Sequence, residues 1–169
     1  MQYTEKGKNM QKVIILCVGK LKEEYWRLAC AEYAKRMSRF ADFSIVEIDE
    51  ERLPDSPSPA QIKKTLEKEG ERLLTKVPSG FEIVSMCIEG KQIDSESLAK
   101  KIQETAINGS GNIAFIIGGS WGLSDEVKNA SSFRLSMSKM TFPHQMARVM
   151  LCEQIYRAFQ ISNGGKYHK

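Results

Sequence analysis

Ile113-Ala114-Phe115-Ile116-Ile117-Gly118-Gly119-Ser120-Trp121-Gly122-Leu123-Ser124 is the stretch on which the fold turns. Five apolar residues with no polar alternation read as a strand covered on both faces, and so central in its sheet. The glycines that follow allow tight turning and close approach of a ligand to bare backbone. Ser124, with Asp125 and Glu126 behind it, caps a short helix. The loop is neither G-x-G-x-x-G nor a Walker loop, and two acids in the next helical turn disfavour a phosphate. A tight structural turn and a ligand-binding loop both remain open.

Upstream, Val13 to Gly19 is a second continuous apolar strand, preceded by Gln11-Lys12. A helix is predicted over Glu23–Met37, where Tyr25, Leu28, Ala29 and Tyr33 fall at helical spacing, and a strand over Phe43–Ile48. Pro54-Asp55-Ser56-Pro57-Ser58-Pro59 continues neither element. Gln61–Val77 reads as a charged helix with Ile62, Leu66, Leu73 and Leu74 inward, and Phe81–Ile88 as a third strand that Glu89-Gly90-Lys91 turns into a loop. Asp94 or Ser95 can cap a helix running to about Ile107, which Asn108-Gly109-Ser110-Gly111 breaks. Strands alternating with helices predict an α/β fold with a parallel-type sheet covered on both faces.

Downstream, a short strand over Phe133–Leu135 opens Leu135-Ser136-Met137-Ser138-Lys139-Met140-Thr141-Phe142-Pro143-His144. Hydroxyl and apolar residues here suit a backbone-lined pocket for a largely apolar ligand, and Pro143 suits a first helical turn. The last helix, His144 to about Ile161, carries only Arg148, Glu153 and Arg157 as charges. Its apolar residues cover more than one stripe, which fits a helix central to the monomer and equally a homodimer interface. Gly164-Gly165-Lys166-Tyr167-His168-Lys169 then closes the chain with an aromatic, a histidine and two lysines behind a flexible pair, a set suited to folding over something.

The 169 residues, 41% hydrophobic and 27% charged, fit one domain with a real core. Residues 10–169 are expected to form it, with 1–9 as a flexible extension, Met10 being an alternative start. No apolar run approaches the roughly 18 residues of a membrane span, and the polar start lacks a signal peptide's apolar middle. A cytoplasmic protein is expected. Cys17, Cys30, Cys87 and Cys152 lack metal-ligand spacing and read as structural thiols, without metal or disulfide. The net charge of +4 permits nucleic-acid binding. From Lys139 onward the bases Lys139, Arg148, Arg157, Lys166 and Lys169 face one acid, Glu153, so a polyanion is expected at that end.

Taken together, Phe115 to Ser120, Gly122-Leu123-Ser124, Leu135 to Gln145, Glu153-Gln154-Ile155-Tyr156-Arg157-Ala158 and Tyr167-His168-Lys169 resemble the RlmH family, the ribosomal RNA large-subunit pseudouridine N3-methyltransferases. Val18-Gly19-Lys20-Leu21-Lys22 and Lys68-Glu69-Gly70 resemble it as well, and the likeness runs from about Met10 to Lys169. The resemblance implies a SPOUT methyltransferase fold with a C-terminal trefoil knot, which ordinary topology rules would reject. It also implies a homodimer, S-adenosyl-L-methionine (SAM) as methyl donor with no metal, and 23S rRNA within the assembled ribosome as partner, with no DNA and no membrane.

By motif, the SAM-contacting positions are Met86, Gly118, Met137, Ser138, Lys139, Met140, Thr141 and Phe142. Relatives often have leucine where Met86 stands, a volume-conserving change. The implied RNA and active-site positions are Arg157, Tyr167 and His168, with His144 secondary; Trp121 is given no role. His168 is the first choice to take the N3 proton, directly or through water, Tyr167 to stack on the base and Arg157 to hold a phosphate or orient the tail. Two other classes, a nucleotide- or flavin-binding module and a non-catalytic ribosome-assembly factor, rest on the glycine loop and on the basic end respectively.

Overall fold

The structure, a computed structural model, describes residues 10–168. The expected extension over 1–9 and the terminal Lys169 lie outside the described residues. Five strands, β1 (Lys12–Val18), β2 (Asp42–Ile48), β3 (Glu82–Gln92), β4 (Ile113–Ile117) and β5 (Phe133–Ser136), form one parallel sheet in the order β2-β1-β4-β3-β5. β4 is the middle strand and every residue in it is buried, as its uninterrupted apolar run requires.

Strand alternation sorts the core into two layers. Val13, Ile15 and Cys17 of β1 share one face with Ile113, Phe115 and Ile117 of β4. That face is covered by α1 (Glu24–Met37), α3 (Ser95–Asn108) and α5 (His144–Ser162). Ile14, Leu16, Val18, Ala114 and Ile116 point the other way, onto α2 (Pro59–Lys76) and α4 (Asp125–Ala130). α5 lies against both α1 and α3, and it buries Leu151, Cys152, Ile155, Tyr156, Ala158 and Phe159. Its broad apolar surface is accounted for within one chain to that extent.

Local chemistry moved several boundaries. Ser58 accepts from Gln61 N while the Gln61 side chain accepts from Ser58 N, a reciprocal cap that starts α2 at Pro59 rather than after the proline loop. Asp94 is the residue that caps α3, accepting from Ser97 N. β3 does not stop at Ile88. It runs on through Glu89-Gly90-Lys91 to Gln92, with a register shift against β5 between Met86 and Lys91. A methyl on Gly90 would lie 2.7 Å from the Arg134 carbonyl oxygen, so the missing side chain is what lets the two backbones meet.

On α1, Tyr25 and Leu28 are each 61% exposed; the stripe facing the core is Cys30 and Met37, with Trp26 and Tyr33 packed against it. The four cysteines are free, with Cys87 half-buried and the other three buried.

Candidate functional site

The carboxyl ends of β4 and β5, with the middle of β3 from Met86 to Glu89, open into one cleft of about 890 Å³. In parallel sheets this edge is where connecting loops leave room for a ligand. The order β4-β3-β5 sets the loop after β4 and the loop after β5 on either side of the middle of β3.

The wall after β4 is the glycine turn. Gly122 N donates to the Gly119 carbonyl at 3.1 Å, closing an antiparallel bridge, and Gly122 has φ +86. A methyl on Gly118 would sit 2.2 Å from the Gly122 carbonyl oxygen. The turn therefore folds back on itself only because both positions are glycine. Ser124 then caps α4 by accepting from Val127 N, as predicted.

The opposite wall is shaped by hydroxyls. Ser136 Oγ donates to the Ser138 carbonyl at 3.0 Å, and Ser138 Oγ accepts from Met140 N at 3.0 Å. These local bonds curl the chain between β5 and α5 without regular structure, which explains the serine alternation. Met86, Gly118, Met137, Ser138, Met140, Thr141 and Phe142 line the cleft together with Trp121 and His144; Lys139 is exposed and does not line it. Pro143 ends this wall as the residue just before α5, not inside its first turn.

The charges at the cleft are few. Lys128 Nζ pairs with Glu89 Oε1 at 2.5 Å, and that bond holds the Glu89 carboxyl below the usual carboxylate range. The His144 imidazole is half-buried, and burial holds it below the ordinary histidine range; Glu50 pulls the other way and Arg148 adds to the lowering. Methionines, leucine, isoleucine and backbone amides make up much of the rest, which suits an elongated, mostly apolar molecule gripped through main-chain atoms. Among the described residues no group of three or more His, Cys, Asp or Glu is arranged to hold a metal ion.

Arg157, Tyr167 and His168 come together, but elsewhere. The Arg157 guanidinium lies 4.7 Å from the Tyr167 ring centre, and Tyr167 packs edge-on against Tyr156 at 4.9 Å. Tyr167 Oη donates to Glu153 Oε1 at 3.1 Å, while burial, with Glu153 beside it, pushes the phenol up to about 12. His168 Nε2 is 2.8 Å from Glu96 Oε1, and its Nδ1 is 3.4 Å from Arg157 Nη1. None of the three lines the cleft. Arg157 lies thirteen steps along α5 from His144, about 20 Å at roughly 1.5 Å per residue.

The basic end is also less free than its composition implied. Arg148 is buried and paired with Glu47, and Arg157 is paired with Glu153. Lys139 and Lys166 remain exposed. Sequence reasoning missed the Arg148 pairing because its partner lies 101 residues away. It gave Trp121 no role, yet that ring lines the cleft while 52% exposed. Composition offered no signal for it.

Residues 11–168 match the family model described as "Predicted SPOUT methyltransferase". Among curated proteins, the chain is 50% identical to a Methanococcus maripaludis protein named "Putative ribosomal RNA large subunit methyltransferase H", over 93% of this chain and 99% of that one. A protein of the same name from Methanococcus vannielii is 49% identical over the same shares. Two solved structures have a similar fold. A probable methylase family protein from Haemophilus influenzae aligns at TM-score 0.52 and 16% identity, covering 94% of this chain and 71% of that one. A probable methyltransferase from Bordetella pertussis aligns at TM-score 0.53 and 13% identity, covering 88% and 96%.

Proposed function

The chain belongs to the SPOUT methyltransferase family, and from that premise we propose that it transfers the methyl group of SAM to N3 of a pseudouridine in 23S ribosomal RNA, acting on assembled ribosomes in the cytoplasm. The observation that carries the reading is the single cleft formed by the glycine turn and the serine–methionine loop, in a chain half identical to proteins named as large-subunit ribosomal RNA methyltransferases.

The residues fit the donor. Gly118, whose missing side chain lets the Gly122 carbonyl close in, lines the cleft with main chain, and Met86, Met137, Met140 and Phe142 supply apolar walls. Ser138 and Thr141 offer hydroxyls, and Lys139 sits on the exposed side of the same loop. When bound, the donor supplies a methyl group already activated on a sulfonium. The protein's share is to hold the base in line with that methyl and to manage one proton; positioning of this kind is worth up to about 7–11 kcal/mol in favourable cases.

Residues 10–169 act in this reading as one catalytic domain, with the C-terminal part threaded as the trefoil knot of its family. The protein works as a homodimer. Arg157, Tyr167 and His168 sit some 20 Å along α5 from the cleft of their own chain, so they serve the cleft of the partner subunit. There Tyr167 stacks on the displaced base, Arg157 orients the tail or a phosphate, and His168 closes over the target. A monomer then binds SAM but does not methylate.

Ribosomes lacking the modification, incubated with labelled SAM and this protein, test the reading. Label should appear at N3 of one pseudouridine in 23S rRNA. Tight, salt-sensitive binding to ribosomes with no transfer of label would instead make it a non-catalytic assembly factor.

A further inference from the structure

Among the side chains that line the cleft is a histidine that donor binding does not use. His144, the first residue of α5, lines the cleft between the two ligand-facing walls. A methyl built on Gly19 would lie 3.6 Å from His144 Nε2 and 3.9 Å from Glu50 Oε2, so both side chains flank one point above the β1–α1 turn. Glu50 also reaches the glycine turn: a methyl on Gly119 would lie 3.4 Å from its Oε1. One helical turn on, Arg148 Nη2 donates to the Gly19 carbonyl at 3.0 Å and Nη1 pairs with Glu47, whose Oε1 also accepts from Leu21 N at 3.2 Å. The turn beneath His144 is therefore clamped to the same helix that carries the ring.

We infer that His144 is the proton acceptor of the reaction, with Glu50 as the carboxylate that supports its imidazolium. The inference rests on the function proposed above. The N3–H proton passes to an imidazole nitrogen of His144. The N3 electron pair takes the methyl carbon, and the carbon–sulfur bond breaks with its electrons left on sulfur. His168 lies outside the cleft of its own chain, whereas His144 lines it.

The charged groups around His144 are accounted for. Glu50 stands beside it, Arg148 is neutralised by Glu47, and across the cleft Lys128 and Glu89 pair with each other. Burial holds the imidazole below the ordinary histidine range, which favours the neutral form that a proton acceptor needs.

The test is single-turnover methyl transfer from labelled SAM to ribosomes lacking the modification, measured from pH 5 to 9, with S-adenosylhomocysteine affinity measured in parallel. His144→Ala should lose about a hundredfold or more in rate, lose the acid limb of the profile, keep its S-adenosylhomocysteine affinity, and recover rate with added imidazole. Glu50→Gln should move the acid limb to lower pH, since the lost negative charge no longer favours the protonated ring. An active wild type whose His144→Ala variant keeps both its rate and its acid limb overturns the inference alone. A His144→Ala variant that loses S-adenosylhomocysteine binding as well, without imidazole rescue, makes His144 a structural wall and overturns it too. A wild type that transfers no methyl overturns the proposed function and this inference together.

Discussion

Arg148 on α5 and Glu47 near the end of β2 form an ion pair of unequal burial: the Arg148 side chain is 1% exposed and that of Glu47 31%. Removing Glu47 strands a cation with little access to water, whereas removing Arg148 leaves a carboxylate that can hydrate. Breaking a pair from the exposed side is therefore the costlier change. Glu47→Ala should destabilise the protein by about 3 kcal/mol and Arg148→Met by about 1–2 kcal/mol. Urea unfolding of the two variants checks the order, and the reverse order would show that Arg148 is not isolated from solvent.

The Gly118 backbone gives the second prediction. With the Gly122 carbonyl oxygen 2.2 Å from where a methyl would stand, Gly118→Ala must open the turn. The expected result is at least about a tenfold loss of S-adenosylhomocysteine affinity by calorimetry, about 1.4 kcal/mol, from a protein that still folds. Unchanged affinity would place the donor elsewhere.

Much of this was legible in the chain because burial on both faces leaves a plain mark. The apolar runs of β1 and β4 appear where they were expected, and the serine and aspartate caps at Ser124 and Asp94 hold. What stayed hidden depends on partners distant in sequence. Glu89-Gly90-Lys91 reads as a turn, yet it continues β3 because Gly90 meets the backbone of β5. Tyr25 and Leu28 look like a core stripe, yet they face outward because α1 meets α5 through Cys30 and Met37. The two walls of the cleft were singled out separately. Only the order β4-β3-β5, which no periodicity encodes, makes them one site.

Ligand specificity gives a third prediction. A ligand that binds the folded state alone stabilises it by RT ln(1 + [L]/Kd), about 2.7 kcal/mol at a hundredfold excess over Kd. SAM and S-adenosylhomocysteine should each raise the thermal midpoint. FMN and ATP should leave it unchanged, as the acids Asp125 and Glu126 at the start of α4 disfavour a phosphate. A rise with FMN instead would favour the flavin-binding module.

The distance between tail and cleft gives a fourth. His168→Ala should leave S-adenosylhomocysteine binding intact and lower methyl transfer to ribosomes. Mixing that variant with Gly118→Ala should restore part of the activity, because one mixed dimer then joins an intact cleft to an intact tail. Absence of any restoration, with mixed dimers shown to form, would mean that each tail serves its own chain.

The account stands most directly on where the methyl donor lies. A crystal of the protein soaked with S-adenosylhomocysteine should show the ligand between residues 117–122 and 137–142, with its adenosine against main-chain atoms and its sulfur open to the side of His144. An empty cleft, or ligand bound on another part of the molecule, would contradict it.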